Sequence, residues 1–332
     1  MYLKSTSFTV CLHFVALSSA FLGGAFVINN FLTYIFDLPG FFGTLSIVGI
    51  NLTDSSPNYS NVAQSLGLLQ SVSFFAAIIF PIILIYKRDR LRDENLLNII
   101  SELIVAAAFW SVMLVGIIDA IISFVRMEDL LPIIVGDNLA LSLGKPAFRG
   151  LYVHIPLLVI GTAIAMYRRG IDFIWLAVLI VFGELLIVIT RFIFSYEQAF
   201  MGDLVRFWYA ALFLFSSAYT LVHEGHVRVD VIYASFSERQ KARTNIFGSF
   251  LLGIPLCWVV LIRGLWNESS PFNLAILNFE VTQQGFGMYV KYLMSGFLIV
   301  FALSMLFQFS SYIIAHINKL EIASADTGNF QE

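Results

Sequence analysis

Residues 173–222 read FIWLAVLIVFGELLIVITRFIFSYEQAFMGDLVRFWYAALFLFSSAYTLV. Two apolar runs of about 20 residues each flank a short polar hairpin, and that is the length an α-helix needs to cross the hydrocarbon core of a bilayer. The runs are continuous, whereas barrel strands alternate apolar and polar positions over about ten residues. Open sheet edges leave backbone groups unsatisfied in lipid. The stretch therefore predicts a transmembrane helical hairpin.

The same pattern recurs on either side. Apolar runs cover about 8–36, 66–86, 99–124, 151–166, 173–195, 203–222, 246–266 and 287–317. Apolar residues make up 59% of the 332 and charged residues 12%, about half the charge of a soluble domain. The fold class is all-α: a polytopic helical membrane protein with about eight transmembrane helices. Pro81, Pro156 and Pro255 fall inside runs and mark kinks. The first run has a Lys4 flank and a Ser18-Ser19-Ala20 stretch like a secretion signal, but its length predicts a retained span. The connecting loops are too short to bury a soluble core.

Most of the 19 cations sit in segments that share one side if the N-terminus is cytoplasmic, including Lys87, Arg88, Arg90, Arg92, Arg239, Lys241 and Arg243. Lys/Arg excess marks the cytoplasmic face, so both termini are expected there. Arg126, Lys145 and Arg149 fall in the second outer loop, about 125–150. The polar tail EIASADTGNFQE has the composition of a disordered segment.

Ionisable residues inside spans require a reason. Glu184 lies about 18 Å into the fifth span, near the bilayer centre. Arg191, about 10 Å further along that helix, is too far to pair with it. Glu184 must be protonated, pair with another helix, or meet another subunit. Around the hairpin, Arg191, Glu197, Asp203 and Arg206 share one depth, which predicts a clamp of two guanidiniums and two carboxylates. Asp119 sits in the outer half of the third span, where it either pairs with a neighbouring helix or lines a wet crevice. Glu102 is placed at the start of that span, where a carboxylate suits a helix N-terminus.

No enzyme motif is present: no phosphate loop, dinucleotide fingerprint or nucleophile elbow. His13 and His154 lie at different depths, about 15 Å apart, which does not suit one haem. His223 and His226 lack a convincing set of further ligands. No metal and no cofactor is expected. Cys11 and Cys257 read as small buried hydrophobes.

After the sixth span the chain exits through His226-Val227-Arg228-Val229-Asp230 and then a basic run, which predicts an interfacial cytoplasmic segment anchored by Arg239, Lys241 and Arg243. An Arg191-Phe192 span end, an Asp203-Leu204-x-Arg206 span start and this His-Val-Arg-Val-Asp exit together resemble the DctQ-like small membrane subunits of tripartite ATP-independent periplasmic (TRAP) transporters. The likeness covers about 173–317. It divides the chain into an N-terminal four-helix extension (1–170), a DctQ-like four-helix unit (171–320) and a tail (321–332).

The resemblance implies a scaffold role. In such systems a periplasmic solute-binding protein delivers an organic acid to a large permease, which holds the substrate and ion sites and imports it down an ion gradient, by Na⁺ symport on this reading. The small subunit supplies a fixed scaffold in the bacterial or archaeal inner membrane. The implied partners are the large TRAP permease, the solute-binding protein and the lipid bilayer; nucleic acid is not among them. Glu184, Arg191, Asp203 and Arg206 would then organise helices or the subunit contact. One rival is a self-sufficient proton-coupled carrier using Glu184 and Asp119; another is a haem-bearing anchor.

Overall fold

The computed structural model describes residues 7–47, 60–87, 89–168, 173–196, 199–222, 232–282 and 287–328. Among them there are helices and no strands. The helices are α1 (Ser7–Ile35), α2 (Gly40–Ile47), α3 (Asn61–Lys87), α4 (Arg90–Met127), α5 (Leu131–Val135), α6 (Asp137–Leu143), α7 (Pro146–Arg149), α8 (Ile155–Tyr167), α9 (Phe173–Phe194), α10 (Ala199–Val222), α11 (Glu238–Gly248), α12 (Ile254–Leu265), α13 (Pro271–Leu277) and α14 (Lys291–Gly328). Among the described residues, eight stretches are long and apolar enough to cross a membrane, as expected; α7 with α8 forms one and α11 with α12 another.

Those two composite spans share a device. A π-helical turn, Gly150–His154 or Ser249–Gly253, precedes an Ile-Pro pair at the start of α8 and α12. Proline cannot donate to the carbonyl four residues back. A local switch to i→i+5 bonding carries the helix past that gap. Pro81, by contrast, is absorbed within an α3 that stays α-helical.

Several local expectations are corrected. α4 begins at Arg90 with Asp93 in its first turn, so Glu102 is mid-helix and exposed rather than a capping residue. Helix propagation extends α4 back through the polar residues 90–98. Cys11 is exposed, while Cys257 is buried; exposure to lipid costs a small hydrophobe nothing. The 125–150 loop contains three short helices. The basic run 239–243 belongs to α11, opened by a Ser237–Gln240 capping box and continuous with the seventh span instead of forming a separate surface segment. The last helix, α14, spans Lys291–Gly328.

Two compact units emerge, each discontinuous in sequence. One comprises Met1–Ser101, Gly225–Glu268 and Ala302–Glu332. Within it, α1 packs on α3 and on α12. Gly40 begins α2 with φ +66°, and a Cβ there would lie 2.6 Å from the Thr33 hydroxyl. The first amides of α2, which have no partner within the helix, are met by side chains: Gln70 accepts from Gly40 N–H at 3.1 Å and Asn29 from Phe41 N–H at 3.1 Å. His13 and Asp93, both buried, approach to 3.1 Å, and Arg90 pairs with Glu321 at 2.6 Å.

The second unit comprises Glu102–Glu224 and Ser269–Phe301. Its core contains Phe207 and Phe215 of α10, whose ring centroids lie 5.1 and 5.0 Å from that of Phe297. Gly161 of α8 lets the backbone of α4 come close, since a Cβ would meet the Ser111 amide nitrogen at 2.6 Å. α9 packs on α10, and its Phe173 ring meets Phe109 of α4. It is the least buried of the eight spans, with 11% of its apolar stretch covered.

Candidate functional site

The second unit holds a buried charged cluster around Asp119. This residue sits on one face of α4 with Ser123 and Arg126, four and seven residues on. Asp119, Arg149 and His154 are all fully buried. Arg149 Nη1 donates to Asp119 Oδ1 at 2.9 Å and to Ser123 Oγ at 3.1 Å. His154 Nε2 lies 3.0 Å from the same Oδ1, and its Nδ1 lies 2.8 Å from the Tyr292 hydroxyl. A neutral imidazole with its proton on Nε2 satisfies both contacts, donating to the carboxylate and accepting from the phenol.

The π-turn explains how one loop supplies two ligands to one carboxylate. Residues five apart diverge on an α-helix, but an i→i+5 turn brings them round to a common side. Arg149 and His154 flank that turn.

The other Asp119 oxygen, Oδ2, accepts the Tyr289 backbone N–H at 3.0 Å. One residue earlier, the Met288 N–H donates to Asp203 Oδ2 at 3.2 Å, which also accepts from the Thr282 hydroxyl at 3.2 Å. Consecutive amides are thus held by carboxylates from two helices, α4 and α10. Gly287 makes the approach possible, because a Cβ there would lie 2.0 Å from Asp203 Oδ2. The Tyr289 ring carries Arg149 Cζ at 4.3 Å and Arg126 Cζ at 4.7 Å from its centroid, cation–π contacts in a dry setting. Its hydroxyl donates to Gly144 O at 2.8 Å and accepts from Arg126.

Chemically, this cluster is a closed joint. The Asp119 charge is balanced by Arg149, and both its oxygens are occupied. Removing one partner of such a pair costs about 3–5 kcal/mol, because the other is left charged and buried.

The sequence-predicted residues fall as follows. Asp203 and Arg206 are in the first turns of α10 with Arg206 Nη1 3.8 Å from Asp203 Oδ1, but the Arg206 side chain is 74% exposed. The shorter contacts of Asp203 go to Thr282 and Met288. Glu184 and Arg191 are exposed on α9, and Glu184 makes no ion pair among the described residues. Glu197 and the His226-Val227-Arg228-Val229-Asp230 motif lie outside the described residues. Asp119 pairs with neighbouring elements, one of its two expected options. Arg149 and the 287–292 segment were missed. The available signals were the need of an intramembrane carboxylate for a cation and the closeness of Arg149 to a predicted span.

Residues 177–315 match the family model described as "Tripartite ATP-independent periplasmic transporters, DctQ component". This stretch is a DctQ-like domain. No curated protein and no solved structure matches the chain. The DctQ family is the small permease component of TRAP transporters, a family of transporter parts and not of enzymes. DctQ components work with a large permease and a periplasmic binding protein. The helices α1 to α8 precede the matched stretch. The buried joint straddles that boundary: Asp119, Arg149 and His154 precede the DctQ-like domain, while Asp203, Thr282, Tyr289 and Tyr292 belong to it.

Proposed function

We propose that this chain is the scaffold subunit of a TRAP transporter, supporting Na⁺-coupled uptake of an organic acid by a large permease partner in the inner membrane. The match of residues 177–315 carries this reading. The expected delivery partner is a periplasmic solute-binding protein. On the same reading both termini are cytoplasmic, residues 1–170 form an extension, 171–320 the DctQ-like unit, and 321–332 a tail. The His226–Asp230 motif would lie on the cytoplasmic side.

Glu184 and the outward face of α9 are the proposed contact with the large permease. A carboxylate exposed near the bilayer centre is costly unless another helix answers it, and α9 is the least covered span. Arg191 and Arg206, both exposed, would serve the outer end of the same contact, with Asp203 holding the helix start. Asp119 supports a scaffold rather than a carrier, since it is fully buried and both its oxygens are engaged.

Reconstitution decides. The chain with a large permease and binding protein should give Na⁺-dependent uptake, and the chain alone none. Proton-coupled uptake by the chain alone, abolished by Glu184→Gln, would replace the scaffold reading with the carrier one.

A further inference from the structure

The turn between α3 and α4 frames a groove of about 660 Å³, within the ~300–1,000 Å³ range of small-molecule sites. Its mouth is lined by Lys87, Asp89 and Arg92, and its length by Phe80, Ile83, Leu84 and Ile99. Phe80, Ile83 and Ile99 are exposed along it. Cations stand where the helices end and hydrocarbon side chains run back along the span.

Among the described residues the cations at the mouth are only partly paired. Arg90 is engaged by Glu321 at 2.6 Å. The Asp89 carboxylate accepts the Arg92 backbone N–H at 3.1 Å, so it serves as the cap of α4. Lys87 and Arg92 make no ion pair among the described residues. Two cations with no ion pair among the described residues, beside a single carboxylate used as a helix cap, favour a negative group, and the apolar wall below them favours a hydrocarbon chain. Basic pockets between helices at a membrane surface recognise anionic lipid headgroups in this way.

We propose that this groove binds an anionic phospholipid, its phosphate received by Lys87 and Arg92 and an acyl chain lying along Phe80, Ile83 and Ile99. A free anion would leave the apolar wall unused, and an uncharged lipid would leave the cations unanswered. The lipid would fix the α3–α4 turn at the membrane surface.

The test uses the full chain purified in detergent and titrated with dioctanoyl phosphatidylglycerol, dioctanoyl phosphatidylcholine or inorganic phosphate. Phosphatidylglycerol should bind the tightest of the three. The double substitution Lys87→Ala, Arg92→Ala should weaken it by about 30-fold, roughly fivefold per cation, while Lys87→Arg with Arg92→Lys should retain it. Ile83→Trp keeps both charges but fills the groove, and should also weaken phosphatidylglycerol. Size-exclusion profile and helicity identify any variant that fails to fold, and the retained-charge pair then carries the comparison with Ile83→Trp. Equal binding of the two lipids would overturn the proposal and leave Lys87 and Arg92 as snorkelling surface cations. Phosphate binding as tightly as phosphatidylglycerol, or full affinity in Ile83→Trp, would overturn it equally.

Discussion

Asp119 on α4 and Glu184 on α9 are both carboxylates carried by apolar helices, and the protein treats them oppositely. Asp119 is fully buried and receives an arginine, a histidine and a backbone amide. Glu184 is exposed on the least covered span. Charge in a low-dielectric setting must be answered somewhere. The first is answered within the chain and contributes to its own fold; the second makes no ion pair among the described residues, and on the proposed function the large permease answers it. The contrast separates a carboxylate satisfied inside the fold from one exposed on its outer side.

The largest effect should come from breaking the inner pair. Arg149→Ala is expected to destabilise the chain by about 3–5 kcal/mol, since Asp119 would stay buried without its cation. Detergent or denaturant unfolding of the purified chain measures this. The double variant Asp119→Leu, Arg149→Leu should lose clearly less than the sum of the single changes. Additive losses would mean that the two residues act separately.

Next comes the glycine that admits the second carboxylate. Gly287→Ala places a methyl group where Asp203 now sits, and overpacking of this kind costs about 1–3 kcal/mol. Combining it with Asp203→Ala should recover part of the loss if the clash is the cause. Tyr292→Phe removes only the hydroxyl that meets His154, and should cost about 1 kcal/mol in the same unfolding measurement.

The smallest effect on the isolated chain is the most informative for the comparison. Glu184→Leu should leave its unfolding unchanged within about 0.5 kcal/mol yet reduce the yield of complex when a large permease is co-expressed. Glu184→Gln, which keeps hydrogen-bonding capacity, should retain more of the complex. If Glu184→Leu destabilised the chain as strongly as Arg149→Ala, the two carboxylates would not differ in kind.

The eight spans were legible because continuous apolar runs of this length have few alternatives in lipid. Their ends were less so. α4 starts at Arg90, well before its apolar run, because hydrogen-bonded propagation continues through polar residues once a helix exists. The joint was half legible: Asp119 stood out as a charge needing a partner, but its partners were hidden by local punctuation. Pro146 and Gly150 bracket Arg149 and read as loop signals, although they lead into a helix that buries it. The amides of Met288 and Tyr289 carry no side-chain signature at all, so no reading of residue types could assign them. Asp203 and Arg206 were placed together at the hairpin from their equal depth, but not the stronger tie of Asp203 to Thr282 and Met288, which requires knowing where the chain returns.

The π-turn at Gly150–His154 works as an absorbed insertion. An α-helix advances about 100° per residue, so four of its residues turn almost as far as the five held in this wider turn. The extra residue is therefore taken up locally, and α8 keeps the azimuth that sets Gly161 against the Ser111 backbone. Arg149 and His154, one position further apart than two α-helical neighbours, still reach Asp119 from one side. The helix gains a residue at its ligand-bearing turn while the face it presents further along stays where it was.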